Sequence, residues 1–257
     1  VKTIGRTPLS GVHSKLLSQL TTNLFSENLH SHLTNLDCII YNIGIIRDYP
    51  HKGISFKKIH TDLAVHCIDM AKKAGVKKII LMSANDVEQS KTKYQSTKLQ
   101  AEHYLKKSGL DWTIFRPSLI YGDPKGKVEF CSQIKRDMIK TPFPLPIFFN
   151  GINIFNAGSF RMSPIHVKNI AQFFVSSIRK DESNGKIYEL GGSRTYSWKE
   201  ITRIISDACN KKKWRIPVPF SLLKLCAFFF DRWSWFPFSR EQLTMLRYGN
   251  VCESSKY

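Results

Sequence analysis

Residues 56–84 read FKKIHTDLAVHCIDMAKKAGVKKIILMSA. Apolar side chains recur at Ile59, Leu63, Cys67, Met70 and Ala71, spacings that gather them on one face of a helix. Gly75 follows where a C-terminal cap belongs. Then comes VKKIILMS, an apolar run of strand length. A helix leading into such a strand is part of a βαβ unit and implies a strand before it. DCIIYNIG, residues 37–44, fits that role and closes on Gly44. Downstream the pattern repeats: KTKYQSTKLQAEHYLKKSG, residues 91–109, is a helix closed by Gly109, and LDWTIFRPS is the next strand. Such alternation predicts an α/β fold with a doubly wound parallel sheet. The runs IIYNIGII and IILM lack polar alternation, which predicts burial on both faces.

The same reading extends to both ends. VKTIGR is a strand with Arg6 at its end, and TTNLFSENLHSHLTNL is a short strand followed by a helix capped by Ser26. After Tyr121 the character changes. TPFPLPIFFNGINIFNAGSF is loop with short strands, and SPIHVKNIAQFFVSSIRK is a helix with Ile170, Phe173, Phe174 and Ile178 on one face. GKIYELGG is a strand, and SWKEITRIISDACNKKK is a helix whose Ser197 and Glu200 form a capping box. The expected division is a core of residues 1–124 and a lobe of residues 125–257 interleaved with the end of the core sheet.

The chain has 257 residues, 42% of them hydrophobic and 23% charged, enough for one sizeable core or a core plus a small lobe. Six cysteines form no C-x-x-C pair, which predicts reduced thiols, a reducing compartment and no metal site. The chain opens VKTIGRTPLSG, without an initiating Met and without a secretory or transit signal, as a fragment or processed form would. An intracellular location is expected, in a bacterial cytoplasm or an organelle matrix, with membrane association as an alternative.

A net charge of +19 suits either a basic soluble surface or a docking face for something anionic. Pairs such as Lys72-Lys73 and Lys106-Lys107 sit at helix ends, where they complement the helix dipole. The tail from residue 216 onward is aromatic, but its most apolar run, residues 220–230, is too short to span a bilayer. It reads first as a lobe helix. The alternative is an interfacial helix, with Trp233 and Trp235 at headgroup depth and KKKWR, residues 211–215, reading anionic lipid. No aromatic-basic RNA signature is present, so nucleic acid ranks last among partners.

Tyr94 and Lys98 stand one turn apart on the 91–109 helix. An ammonium beside a phenol favours the phenolate and predicts a lowered tyrosine pKa, suited to proton transfer. Y-x-x-x-K alone is weak evidence. Its setting strengthens it, because the helix follows a parallel strand ending in Ser83, and ligands of open α/β sheets bind beyond the carboxyl ends of strands. RPSLIYG, residues 116–122, converges on the same edge.

In order along the chain, FKKIHTDLAVHCIDMAKKAGVKKIILMSA, YQSTKLQAE, WTIFRPSLIYGDP, SPIHVKNIAQ and YELGG resemble the extended and atypical branch of the short-chain dehydrogenase/reductase superfamily, a Rossmann-type fold. YNIGIIR, IHTDLA and SREQLTMLRYGNV are similar to its NAD(P)H-binding subfamily that includes the nucleotide-binding accessory subunit of respiratory complex I and its bacterial relatives. The resemblance covers nearly the whole chain. It implies Tyr94 and Lys98 as the catalytic pair and Ser83 as the hydroxyl polarising a carbonyl, with Ala84 and Asn85 competing for that position. It implies a cofactor lying over Asn42, Ile43 and Gly44, with the adenine beside Asn23 and Leu24, where the family often has Asp-Leu. Pro117, Ser118, Leu119 and Ile120 match the segment near the nicotinamide. Arg6 stands where NAD-preferring members carry an acid, so NADP(H) is favoured and NAD(H) is the alternative.

One departure is large. The family's G-x-x-G-x-x-G turn is absent, so the sheet begins at what would be its second strand. Truncation is the preferred reading, because loss of a central strand would expose a sheet edge. The implied function is an oxidoreductase using Tyr/Lys acid–base chemistry. A non-catalytic nucleotide-binding subunit or assembly factor of a membrane respiratory complex is the alternative, docking through the basic aromatic lobe. A sugar-nucleotide epimerase or dehydratase follows by analogy of fold alone.

Overall fold

Along the chain the first strands are β1 (Lys2–Gly5), β2 (Ser18–Thr21) and β3 (Cys38–Tyr41). The quoted stretch gives helix α1 (Leu63–Lys73) and strand β4 (Lys78–Met82); then come α2 (Lys93–Lys106) and β5 (Asp111–Pro117). These positions are those of a computed structural model, which describes residues 1–7, 14–49, 52–125, 129–231 and 238–252. A π-helical turn, Lys57–Asp62, leads into α1. Thr92 caps α2 by accepting the Gln95 N–H, and Ser26 caps a short 3-10 turn, Glu27–His32.

The remaining elements belong to the lobe or return from it. They are β6 (Ile120–Tyr121), α3 (Phe130–Ile134), β7 (Leu145–Phe149), β8 (Arg161–Met162), β9 (Ile165–His166), α4 (Val167–Ile178) and β10 (Lys186–Leu190). After them come β11 (Tyr196–Ser197), α5 (Trp198–Ala208), β12 (Arg215–Pro219), α6 (Phe220–Phe230) and α7 (Arg240–Tyr248).

The central sheet has the order β10-β5-β4-β3 and every pair in it is parallel. Helices cover both faces. On one, α1 and α2 bring Leu63, Ile68, Ala71, Ala101 and Leu105 against Ile79, Leu81 and Ile114. On the other, α4 brings Ile170 and Phe174 against Ile80, Phe115 and Leu190. Phe173, expected on the same face, is instead exposed, because the buried stripe of α4 is narrower than its apolar sequence.

The strands differ in burial. β4 is enclosed, with Lys78 to Leu81 all buried. Lys78 survives there because its ammonium donates to Ser177 O, Lys180 O and Ser183 Oγ. β3 corrects the expectation of two-sided burial: Ile40 is 41% exposed. Ile40 shares a face with Cys38, and the α4-side cluster that covers Ile80, Phe115 and Leu190 does not include it. β1 and β2 form a separate parallel pair, and among the described residues no strand hydrogen bond joins them to β3. Ile4 of β1 still packs on the same apolar cluster as Leu24, Leu29 and Tyr41. The central sheet therefore ends at β3, with β1 and β2 as a separate pair beside the same apolar cluster.

The lobe has its own cluster, centred on Trp198, Phe148, Leu145 and Leu243. Phe148 stacks on Trp198 at 5.5 Å, and Phe160 stacks on the same ring at 5.6 Å. The Ser197–Glu200 capping box opens α5. All six cysteines are free thiols. Trp233 and Trp235 lie outside the described residues. Among the described residues no helix is long and apolar enough to cross a membrane.

After α7 the chain turns at Gly249, where φ is 78° and an added Cβ would lie 2.6 Å from Arg161 O. Residues 249–252 then strap the lobe to the sheet. Asn250 O accepts from Ser163 N–H at 2.9 Å and Ser118 Oγ at 2.6 Å. Asn85 Nδ2 donates to Asn250 Oδ1 and to Val251 O.

Candidate functional site

The carboxyl ends of β3, β4 and β5 and the first turns of α2 meet at one edge of the sheet. Lys98 is only 8% exposed, and its ammonium donates to Met82 O, the last carbonyl of β4, at 3.0 Å. Burial holds its pKa down to about 8, against the partial support of Glu102. Gly44 lies directly over it: a Cβ there would sit 3.2 Å from Lys98 Nζ. The next residue past β4, Ser83, is buried, and its Oγ has no hydrogen-bond partner among the described residues. Its backbone N–H is held by Phe115 O of β5. Ser83 and Lys98 thus flank the last residue of β4, one with an unsatisfied hydroxyl and the other with a buried charge.

Tyr94 is half-buried one turn before Lys98. Its ring meets His60 edge-on at 5.1 Å and Phe56 edge-on at 5.8 Å. The expected lowering of its pKa does not occur. Burial pushes the phenol up to about 12, and the lysine ammonium is bonded to Met82 O instead. Tyr94 is therefore a protonated phenol at neutral pH, equipped to give a proton rather than to take one.

His60 also belongs to the site, although no pattern in the sequence marks it. The ring is fully enclosed and accepts the Ile45 N–H at Nε2, 3.0 Å away. Nδ1 therefore carries the proton and donates to Thr97 Oγ1 at 3.1 Å. One imidazole thus ties the Gly44–Ile45 loop to α2 between Tyr94 and Lys98. Burial, then the Lys98 charge, pull its pKa down to about 3, so it is neutral. The π-helical turn that carries it is a frequent mark of functional positions, but nothing in the spacing of His60 and His66 announces it.

The other expected residues separate into groups. Asn42, Ile43 and Gly44 follow β3 directly, with Asn42 and Gly44 exposed. Arg6 is exposed just past the end of β1. Asn23 is exposed and its Oδ1 accepts the Phe25 N–H, whereas Leu24 is a core residue. Leu24 can therefore face a ligand only through its backbone. Pro117 ends β5, and Ser118 is buried with its hydroxyl on Asn250 O. Leu119 and Ile120 pack into the lobe cluster and the α4-side cluster respectively. Ala84 is buried, and Asn85 is committed to the C-terminal strap. Ser83 is thus the hydroxyl of this segment left without a partner among the described residues.

The residues present fit one part of a dinucleotide. An orphaned hydroxyl at Ser83, a buried cation at Lys98 and a close backbone approach at Gly44, where a Cβ would press on Lys98 Nζ, suit a ribose and the ring attached to it. No G-x-x-G-x-x-G turn occurs in the sequence to hold a pyrophosphate.

Comparison with known proteins gives the class first: residues 17–140 match the NAD(P)H-binding family, and the chain has the Rossmann-type fold that epimerase and dehydratase structures also have. It is homologous to complex I subunits. It is 24% identical over 200 residues to the mitochondrial NADH-ubiquinone oxidoreductase 40 kDa subunit of Neurospora crassa, covering 77% of this chain and 49% of that one. It is 24% identical over 190 residues to UDP-glucose 4-epimerase of Vibrio cholerae, covering 66% and 55%. The chain spans about half the length of the relatives it matches. Among solved structures, MoeE5 in complex with UDP-glucuronic acid and NAD superposes with a TM-score of 0.69 at 16% identity, covering 85% of this chain and 77% of that one.

Proposed function

We propose that the chain is the nucleotide-binding part of a short-chain dehydrogenase/reductase-like protein that prefers NADP(H) and gives a proton from Tyr94 to a carbonyl oxygen. The observation that carries this is the orphaned Ser83 hydroxyl one residue past the carbonyl that holds buried Lys98. A buried hydroxyl without a partner costs about 1–3 kcal/mol, and a ligand oxygen at that spot would relieve it. A nicotinamide would supply the hydride. Ser83 then donates to the carbonyl oxygen and polarises it, and Tyr94, protonated, transfers its proton to the same oxygen. Lys98 binds the ribose hydroxyls and, through Met82 O, stays aligned under Gly44. His60 fixes the loop above. Arg6, exposed beyond β1, suits a 2′-phosphate, which is the ground for NADP(H) over NAD(H).

In this reading residues 1–124 hold the nucleotide and residues 125–257 form the substrate side. The lobe carries a cavity of about 250 Å³ lined by both aromatic and polar side chains, among them Phe148, Asn150, Asn156, Phe220, Arg247 and Tyr248. The test is twofold. Fluorescence titration should give tighter binding of NADPH than of NADH, and Arg6→Ala should equalise them. A hydride-transfer assay across carbonyl substrates should find turnover that Tyr94→Phe abolishes. Equal affinities before substitution would remove the cofactor preference.

A second reading is a non-catalytic subunit or assembly factor of a membrane respiratory complex, in an organelle matrix or at its membrane. The relatedness to the Neurospora 40 kDa subunit favours it, as does the Tyr94 hydroxyl, which has no hydrogen bond to hold it in register among the described residues. Co-purification with a membrane complex, with nucleotide bound and no turnover, would support this reading; a free monomer with turnover would refute it.

A further inference from the structure

We propose that the chain docks on an anionic lipid surface through one protruding apolar face, built from α6 and the loop after β7. α6 buries Phe220 and Ala227 in the lobe cluster, with Leu223 packed beside them. Its opposite side is apolar as well: Leu225, Phe228 and Phe229 are 56%, 62% and 55% exposed. A helix apolar all round belongs in an enclosed setting, and this one is enclosed on one side. The loop adds Ile152 and Phe155, which are 96% and 94% exposed. The two parts lie together. β7 and β12 pair in parallel with Phe149 opposite Pro219, so the loop beginning at Asn150 and the helix beginning at Phe220 leave the same end of that pair.

Shape, charge and length select the occupant. Side chains at the tip of a loop, almost free of neighbours, offer no recess for a partner's anchor residue, whereas a headgroup layer needs no matching shape. Exposed Lys224 lies on α6, and the Arg240 guanidinium sits 5.6 Å over the Phe228 ring while paired with Asp231. These cations can reach up to the phosphates while the rings enter the acyl boundary. A second copy would set +19 against +19, which disfavours self-association. With 11 residues α6 is roughly 16 Å long and lies in the plane of the interface rather than across it.

Vesicle flotation of the full chain tests this, with vesicles of phosphatidylcholine alone and of an equal mixture with phosphatidylglycerol. The wild type should float with the mixed vesicles and only weakly with the neutral ones. Leu225→Glu combined with Phe229→Glu should lower the bound-to-free ratio by about tenfold or more, with an unchanged melting temperature because both positions are exposed. Lys224→Glu should weaken binding to the mixed vesicles about fivefold and leave the neutral ones unaffected. Phe155→Asp should weaken both. If the double variant floats as well as the wild type, the attraction is charge alone and the proposal fails. It fails equally if the wild type ignores both vesicles, which would leave the face to a protein partner, or if light scattering shows a dimer that the double variant dissolves.

Discussion

Lys98 is the residue whose position makes the least sense for stability alone. A buried ammonium with a pKa of about 8 is destabilising wherever it is charged. The folded state binds fewer protons than the unfolded chain between about pH 8 and the ordinary lysine value of 10.5, so stability rises with pH across that window. Below pH 8 the full penalty applies, roughly 3 kcal/mol, against about 1 kcal/mol for the bond to Met82 O. Lys98→Met should therefore unfold later than the wild type at pH 7, by about 2 kcal/mol in denaturant titrations. The advantage should vanish by about pH 10.5. A group kept at such a cost is a mark of function. His60 is depressed by the same burial, and the sign is the same. Its folded pKa of about 3 lies below the ordinary 6.5, so its contribution is complete above pH 6.5 and is lost as pH falls towards 3. His60→Phe should flatten the acid limb of the stability curve over that range, measured as the difference from wild type. It should also weaken nucleotide binding, because the Ile45 N–H loses its acceptor.

Between elements, the firmest tie is buried. Arg116 of β5 makes a two-pronged pair with Glu102 of α2, at 3.0 and 2.7 Å, and reaches Glu88 at 2.9 Å. This pair sets the rotation of α2 on the sheet, and hence where Tyr94 and Lys98 face. Arg116→Met leaves the buried Glu102 carboxylate without its two hydrogen bonds and with Lys106 4.0 Å away, and should cost about 3 kcal/mol. Adding Glu102→Gln should recover most of that loss, a coupling that a double-mutant cycle would read directly. The C-terminal strap is weaker and depends on one backbone angle. Gly249→Ala meets both a positive φ and Arg161 O at 2.6 Å, so it should release the contacts of Asn250 with Ser118 and Asn85. Enhanced proteolysis after α7, with little change in far-UV dichroism, would register that release.

At the scale of the molecule, the sheet is uneven. β4 is paired on both sides and buried, whereas β1 and β2 stand as a two-stranded pair. Two strands alone are marginal in water. Hydrogen exchange should show β1 and β2 opening well below the global unfolding free energy and β4 and β5 near it. Equal protection would mean that the core contact through Ile4 does more than its area suggests.

The sequence by itself determined the α/β architecture, because period, caps and glycines are local signals: α1, β4, α2 and β5 follow directly from residues 56–118. It also marked Tyr94, Lys98 and Ser83, since their places at a strand end and a helix start follow from element order. Only the tertiary structure decided their states. Lys98 bonds Met82 O rather than the phenol, Tyr94 is held protonated by burial, and His60 joins a loop to a helix 37 residues away in sequence. The open edge of β3 and the uncovered side of α6 belong to the same class. Burial and pairing are properties of what lies across a gap in space, and no local pattern records that.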